Sequence, residues 1–473
     1  MATMRSLASV AVLLLWTIVA AISTTGNRLL VILDHVSDGE AYSLFMGDLA
    51  GRGFDISYET PRSEGLKLFY LGERNYDHLL FLPTRVKGLG PNLTPNILVD
   101  FVNAGGNILV ALTSASAAPS SLVAFLAEVA ISLPPERTSL VVDHFNYDAV
   151  SAADTHDVLV MPVPLRLGPH VKPLFEMHDA VVALPRASAH VLGQSSLVTP
   201  ILRAPRTAYC YNPKEQLSGL DADDDLFAAG EQLALVSGMQ ALNSARVAVL
   251  GSAEMLKDEW LAEERVVHSV ASNKEARLAN REFAKRLSGW TFEEIGVLRV
   301  TDMEHRLVGS NETNPESYRI KNQVSGEANM QQSFSISMWE HEWDHWVPYT
   351  PPSTDRVQVE FSMLSPFYRL DLAAAESSRS DEPSSSAVLG RNFTLPDQHG
   401  IFNFRVTYKR PYLTYIDEKQ TVSVRHMAHD EWPRSWAISG AWPWLAGIWA
   451  TAVGFVGFCA VWMYSAPPKG GKR

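Results

Sequence analysis

The hydrophobic pattern along the chain changes period twice before it ends in one unbroken apolar run. In the first stretch, short continuous apolar segments alternate with segments whose apolar residues recur every three or four positions. RLLVIL (Arg28–Leu33), FDISYET (54–60), HLLFLP (His78–Pro83), NILVALT (Asn107–Thr113) and SLVVD (Ser139–Asp143) read as strands covered on both faces. Tyr42, Leu44, Phe45 and Leu49 space a helix that stops at Gly51 and Gly53, and a short helical turn is expected near Leu66–Leu71. Thr94 is an N-cap with Pro95 at the first helical position; Ile97, Leu98, Phe101 and Val102 form the apolar face, and Gly105 ends it. A further helix spans about Leu122–Ala130. This alternation predicts a doubly wound α/β domain over residues 27–150, flavodoxin-like or amidotransferase-like.

Residues 151–296 read as a mixed α/β region. LVMPVPL, AVVALP, HVLGQSSLV and ARVAVLGS (Ala245–Ser252) are strands, the last opening into a helix near Glu254–Trp260. Ser272 caps a long polar helix, NKEARLANREFAKRLSGW, which Gly289 ends. From 297 to 430 the period becomes two. SFSISMW (Ser333–Trp339), VQVEFSML (Val357–Leu364), GIFNFRVTY (Gly400–Tyr408) and KQTVSVRH (Lys419–His426) predict an antiparallel β-sandwich domain. The Ser- and Ala-rich stretch Ala373–Gly390 reads as a loop.

The apolar run is Trp444–Tyr464, 21 residues without a charge. At ~1.5 Å per helical residue it is about 31 Å long, the thickness of a bilayer core. Trp442, Trp444, Trp462 and Tyr464 lie near its ends, where amphipathic rings favour the interface. The tail, 465–473, carries Lys469, Lys472 and Arg473, which places it in the cytoplasm. At the other end, Arg5 precedes an apolar run from Leu7 to Ile22 and then Ser23, Thr24, Thr25 and Gly26. That is a signal peptide over residues 1–26, cleaved between about Ala20 and Gly26. Signal and C-terminal transmembrane helix together predict a single-pass type I protein, α/β plus β in class. Within the helix Gly447, Ala450, Gly454 and Gly457 share one face, which suits close packing on a partner helix.

Charge sharpens this picture. Arg5 and three tail residues leave 36 of the 40 basic residues in the body of the chain, against all 52 acids, a formal −16. So acidic a body argues against nucleic acid and against anionic lipid. Cys459 lies in the helix, so Cys210 has no partner outside the membrane and reads as a buried thiol.

Candidate chemistry belongs at the C-terminal strand ends of a doubly wound sheet, here Asp34-His35, Pro83-Thr84, Thr113-Ser114 and Asp143-His144. No G-x-S-x-G elbow, G-x-G-x-x-G turn or P-loop accompanies them. His341-Glu342-Trp343-Asp344-His345 matches H-E-x-x-H, but Pro348 follows and the preceding residues alternate like a strand. On a strand the two histidines would stand ~13 Å apart, too far for one metal, so a turn between strands is expected. The acidic run Asp221, Asp223, Asp224, Asp225 lacks the glycine and closing glutamate of an EF-hand and reads as a solvated loop. No catalytic residue, metal ligand set or cofactor site is assigned. Three sequons remain: Asn311 and Asn392 in expected loops, and Asn92, whose Thr94 is followed at once by Pro95.

Eight stretches in register resemble one family. They are LLVILD, FVNAGGNILVA (Phe101–Ala111), VVDHFNYD (Val141–Asp148), ARVAVLGS, GWTFEEIGVLRV (Gly289–Val300), RVQVEFSMLSPFYR (Arg356–Arg369), LPDQHGIFNFRVTYKR (Leu395–Arg410) and TVSVRH. The chain is similar to the 48 kDa subunit family of oligosaccharyltransferase, dolichyl-diphosphooligosaccharide–protein glycosyltransferase. The resemblance implies a non-catalytic scaffold subunit of the endoplasmic reticulum membrane, acting in protein N-glycosylation without a cofactor. It implies as partners the other subunits, including a many-span catalytic one, with dolichol-linked oligosaccharide met at most indirectly. Two features depart from the family: Gly471 stands third from the end where a lysine is usual, and Phe145 replaces a residue that looks like histidine in relatives. The residues themselves leave two other readings open: a membrane-anchored hydrolase, on the amidotransferase-like domain or through His341 and His345, and a surface receptor.

Overall fold

The computed structural model describes residues 23–163, 174, 175, 177, 180–212, 227–262, 266–269, 274–320, 331–374, 388–426, 428 and 440–466. Strands with no polar interruption need cover on both faces, and the structure supplies it. β1 (Arg28–Ile32), β2 (Asp55–Glu59), β3 (His78–Phe81), β4 (Asn107–Ala111), β5 (Val198–Arg203), β6 (Ala234–Gln240) and β7 (Arg246–Leu250) form one sheet in the order β5-β6-β7-β4-β3-β1-β2. β1–β4 and β7 run parallel, while β5 and β6 add to one edge in antiparallel sense. Four helices flank the sheet: α1 (Ser43–Gly51), α2 (Pro95–Asn103), α3 (Ser120–Glu128) and α4 (Asn280–Thr291). Leu29 and Val31 of β1 pack with Phe45 and Leu49 of α1 and Phe283 and Leu287 of α4. Leu30 and Ile32 point the other way, to Leu98 and Phe101 of α2 and Leu122 and Phe125 of α3. α2 starts where Thr94 Oγ1 accepts the Ile97 N–H at 3.4 Å, with Pro95 next.

Several expectations need correction here. Leu140–Val142 is a strand, but it pairs antiparallel with Tyr209–Tyr211 outside the main sheet. The place beside β4 is taken by β7, more than a hundred residues further on. An apolar run shows that a strand is buried, not which neighbour it has. The division expected near residue 150 therefore runs through one continuous sheet. Leu66–Leu71 is not a helical turn: Phe69–Tyr70 and Glu73–Arg74 form a hairpin, with Leu71 and Gly72 at positive φ in its turn. The long polar helix is shorter at its start. Lys274–Arg277 is a strand paired with Val266–Ser269, and α4 begins at Asn280. α4 also runs past Gly289, where a Cβ would lie 2.8 Å from the Trp343 indole. Ser23–Gly26, expected in the leader, belong to the fold: Ser23 is buried and its hydroxyl donates to the Phe292 carbonyl at 2.6 Å. Asp221–Asp225 and Ser272 lie outside the described residues.

The second body is built from β8 (Ile295–Leu307), β9 (Ser317–Ile320), β10 (Gln331–Glu342), β11 (His345–Pro348), β12 (Gln358–Ser362), β13 (Phe367–Asp371), β14 (Val388–Thr394), β15 (Gly400–Tyr408) and β16 (Ile416–His426). One five-stranded sheet runs β8-β10-β14 with Ala373–Ala374 at its edge and β11 against β10; the other runs β9-β16-β15-β12-β13. Inward residues of both share one core, with Phe334 of the first stacked on Phe404 of the second at 5.2 Å. Pairing is not wholly antiparallel as expected, since β9 runs parallel to β16. The Ala373–Gly390 loop is trimmed at both ends, where Ala373 pairs with Gly390 and Ala374 with Leu389; 375–387 lie outside the described residues. α5 (Trp442–Tyr464) holds 23 residues with a mean hydropathy of 1.8 and no buried position, long and apolar enough to cross a membrane.

Three buried histidines carry a consequence for stability. Burial pushes His78 down to about 4, His190 to about 3 and His305 to about 4. Each binds a proton in the unfolded chain below about 6.5 but not in the folded one until these lower values. Stability is therefore full above about pH 6.5 and is lost as pH falls towards 4, by up to about 1.4 kcal/mol per pH unit for each histidine. Denaturant midpoints of the full chain in detergent should fall over that window. His190→Asn, which keeps a partner for Ser237, should remove one increment of the slope.

Candidate functional site

The strand ends where a doubly wound sheet would hold a ligand are engaged by their own loops. Asp34 accepts the Arg85 N–H at 2.6 Å, and Ser114 Oγ donates to the Arg186 carbonyl at 3.0 Å. The space left between Phe81, Thr84, Thr113 and Leu122 is about 20 Å³, room for a water at most. Asp143 lies apart from these, because its strand left the sheet. Its carboxylate closes a turn by accepting the Phe145 N–H at 2.8 Å and the Thr207 hydroxyl. His144 faces His156 and Tyr209, with ring nitrogens 2.5 Å apart in the first pair. Among the described residues no group of three or more His, Cys, Asp or Glu could hold a metal. Cys210 is buried, which pushes its thiol up to about 11.

The H-E-x-x-H stretch forms a hairpin turn. Glu342 pairs with His345 and His341 with Trp346, so the histidines sit on two strands. His345 faces solvent beside Asp344, whereas His341 is buried and its Nδ1 lies 3.0 Å from the Glu294 carbonyl. That contact leads to a densely polar buried region where the two bodies meet.

This junction is organised on Trp290–Gly296, the end of α4 and the start of β8. Arg246, at the head of β7, is fully buried. Its guanidinium donates to the carbonyls of Trp290 (2.6 Å), Ile295 (2.8 Å) and Gly296 (2.7 Å), and reaches Thr414 Oγ1 at 3.3 Å. The Trp290 ring lies 5.2 Å from the same group. Burial lowers Arg246 to about 10, and Glu293, itself raised by burial, opposes that shift. Arg246 therefore stays charged at neutral pH. Around it Gln240 donates to the Leu413 carbonyl at 2.6 Å, Trp290 Nε1 to the Tyr412 carbonyl at 3.0 Å, and the Tyr412 hydroxyl to Pro200 at 3.0 Å. Gly296 has φ +69, and a Cβ there would fall 2.7 Å from the Tyr412 carbonyl. A second pair, Arg52 with Glu294, is buried on the α1 side, with Arg52 also donating to Ser288 at 2.8 Å. Burial raises Glu294 and lowers Arg52, each against the pull of the other. Trp343 closes this side, its N–H on the Glu294 carbonyl at 2.9 Å and Lys285 over its ring at 4.8 Å.

Chemically this arrangement joins two bodies, with most of the Arg246, Gln240 and Trp290 donors aimed at backbone carbonyls across the junction. Beside it opens a cleft of about 690 Å³ between α1 and α4. Within it Arg281 is forked on Asp48 at 2.7 and 2.8 Å. Neither feature is marked in the residues, since a lone Arg in ARVAVLGS marks a strand end and its partners lie 44 to 168 residues away.

The sequons are spread out. Asn92 is half-buried in a short 3-10 turn, and its sequon threonine, Thr94, is the α2 cap. Asn311 is exposed between β8 and β9. Asn392 is exposed but on β14, opposite Ser333, not in a loop; its sequence alternates weakly and the pairing partner decides. In α5, Gly447, Gly454 and Gly457 have open space around them, and Ala450 lies on the same run.

The whole chain also matches known proteins. The OST48 N-terminal domain model covers residues 20–294 and the OST48 middle domain model covers residues 305–466. The chain is 33% identical to dolichyl-diphosphooligosaccharide–protein glycosyltransferase subunit wbp1 of Schizosaccharomyces pombe, over 98% of both chains. It is 30% identical to the 48 kDa subunit of the same enzyme from Danio rerio, over 93% of this chain and 92% of that one. It is 29% identical to subunit WBP1 of Saccharomyces cerevisiae, over 92% and 91%. Matches over nearly the whole length thus define a chain of the same class as these glycosyltransferase subunits. The chain belongs to the OST48 family.

If Arg246 holds the bodies together, Arg246→Met should cost about 3 kcal/mol or more, because three carbonyls and Glu293 lose their partner. Arg246→Lys, which keeps charge without the fork, should lose less. Denaturant unfolding in detergent reads both, with proteolysis at 292–294, between α4 and β8, as a measure of separation. An unchanged midpoint for Arg246→Met would refute the assignment.

Proposed function

We propose that this chain is an accessory subunit of the oligosaccharyltransferase complex, which moves a lipid-linked oligosaccharide onto Asn-X-Ser/Thr of proteins. The observation that carries this is the match of both family domains and of relatives named as subunits of that enzyme, over nearly the whole chain. Its part is to scaffold. The seven-stranded body is flavodoxin-like, the two-sheet body a sandwich, and the Arg246 junction makes them one block. α5 spans the endoplasmic reticulum membrane once, 465–473 face the cytoplasm, and the block lies in the lumen. The transfer chemistry belongs to another, many-span subunit. The face of Gly447, Ala450, Gly454 and Gly457 packs on a partner helix in the membrane. The leader is removed before Ser23, since Ser23 is part of the packed fold.

Depletion of the chain should lower glycan occupancy on many secreted proteins at once, and affinity purification in mild detergent should recover the other subunits. An intact, fully active complex lacking this chain would overturn the reading. Its own sequons report topology. Asn311→Gln and Asn392→Gln should each remove one glycosidase-sensitive mass step, and Asn92→Gln none, because Thr94 is committed to the α2 cap. A chain with no glycosidase shift at all would count against a lumenal block.

A further inference from the structure

The two-sheet body has two unlike ends. At one end the segment after β15, with Tyr412 and Leu413, is sunk into the junction with the first body. The opposite end collects the turn between β12 and β13, the start of β15 and the end of β16. Register fixes this grouping: Ser362 pairs with Asn403, and Gly400 with Val424, while the His399 and His426 rings lie 5.3 Å apart. Met363 of the turn closes on Gly400, whose missing Cβ would sit 2.3 Å from the Met363 sulfur.

Among the described residues this far end carries apolar side chains that nothing covers. Leu364 is 101% exposed, Ile401 64% and Phe367 52%. Phe367 pairs with Ser362 and Ile401 lies two residues from Asn403, so both stand on the outer face of their sheet. Behind them Arg369 reaches over the Phe367 ring at 5.6 Å and is paired with Glu360 at 2.7 Å. An apolar tip backed by an aromatic ring and a guanidinium suits the boundary between acyl chains and headgroups. The same end releases the chain to the apolar helix: only 427–441 separate β16 from α5. Those residues span at most roughly 50 Å when fully extended.

We propose that the tip formed by Leu364, Phe367 and Ile401 seats in the lumenal interface of the bilayer. It gives the block a second foothold and fixes it upright over the membrane. This rests on the reading of α5 as a spanning helix. The occupant is lipid, because the apolar end and the membrane tether coincide while the other end is already occupied by the first body.

A spin label at Leu364→Cys tests it, in the full chain purified with its complex into lipid nanodiscs. Cys459→Ser removes the membrane cysteine, and Cys210 is buried. Thr407→Cys, exposed near the other end of β15, is the reference. The Leu364 label should show an oxygen-to-nickel-chelate accessibility ratio several-fold above that at Thr407. Equal, water-like accessibility at both sites would overturn the proposal. A label shielded from both reagents would also overturn it, and would mean a protein contact instead. Alkaline extraction of membranes tests the spanning helix separately: release of the chain would sink that underlying reading, while a retained chain with a water-exposed Leu364 would sink only the foothold.

Discussion

The structure depends first on a fully buried cation, Arg246. Arg246 stands where β7 begins and reaches out of the first body to grip the backbone at 290–296. A guanidinium taken out of water is costly unless its donors find acceptors, and here carbonyls of a chain reversal and Thr414 take both terminal nitrogens, leaving only Nε without a partner. The cost of burial and the geometry of the turn therefore require each other. The α4 end cannot relax without stranding the charge, and the charge has no other place in the fold. The Arg52–Glu294 pair repeats the device a few ångströms along the same segment, from the α1 side. Between them the two arginines tie the first sheet, the last helix against it and the first strand of the next body into one unit.

Much of this architecture was legible in the residues. Continuous apolar runs marked β1, β3, β4 and β7, and the two-residue period marked β10, β12, β15 and β16, because burial on two faces or one leaves a direct trace in composition. Thr94 and Pro95 fixed the start of α2, since capping is local. The apolar helix was plain from charge alone. What could not be read was partnership across distance. Nothing in SLVVD says that it pairs with Tyr209–Tyr211, and nothing in ARVAVLGS says that Val247 pairs with Ile108, 139 residues before it. The H-E-x-x-H stretch shows the same limit from the other side. Its alternation and Pro348 were enough to identify a turn, but the use of His341 and Trp343 as junction residues needed Glu294 to be placed first.

The junction was the hardest part to foresee, because it is made largely of main chain. Arg246, Gln240 and Trp290 all donate to carbonyls, and a carbonyl has no signature in a sequence. The glycines around it are more informative in retrospect. Gly238 lies where a Cβ would be 2.7 Å from the Trp290 ring, and Gly296 where only a residue tolerant of positive φ lets the chain turn under Tyr412. A search for functional residues tuned to nucleophiles and metal ligands passes over such positions, since their chemistry is hydrogen bonding and close approach.

This shapes what the chain can contribute to a larger assembly. A body hinged loosely on a second body would transmit little from a membrane helix to a distant surface, because interdomain contacts that are small and wet permit rotation. Here the contact is buried, charged and forked, and it meets the two-sheet body at the end opposite the one from which the chain leaves for α5. β15 alone carries about 26 Å of rigid strand between those ends at ~3.3 Å per residue. The second body therefore stands as a rigid piece between the junction at one end and the chain leading to α5 at the other. The position of the first body relative to that departing chain is then set by the geometry of the junction. Rigidity of this kind is a mechanical property written into Arg246 and its carbonyls.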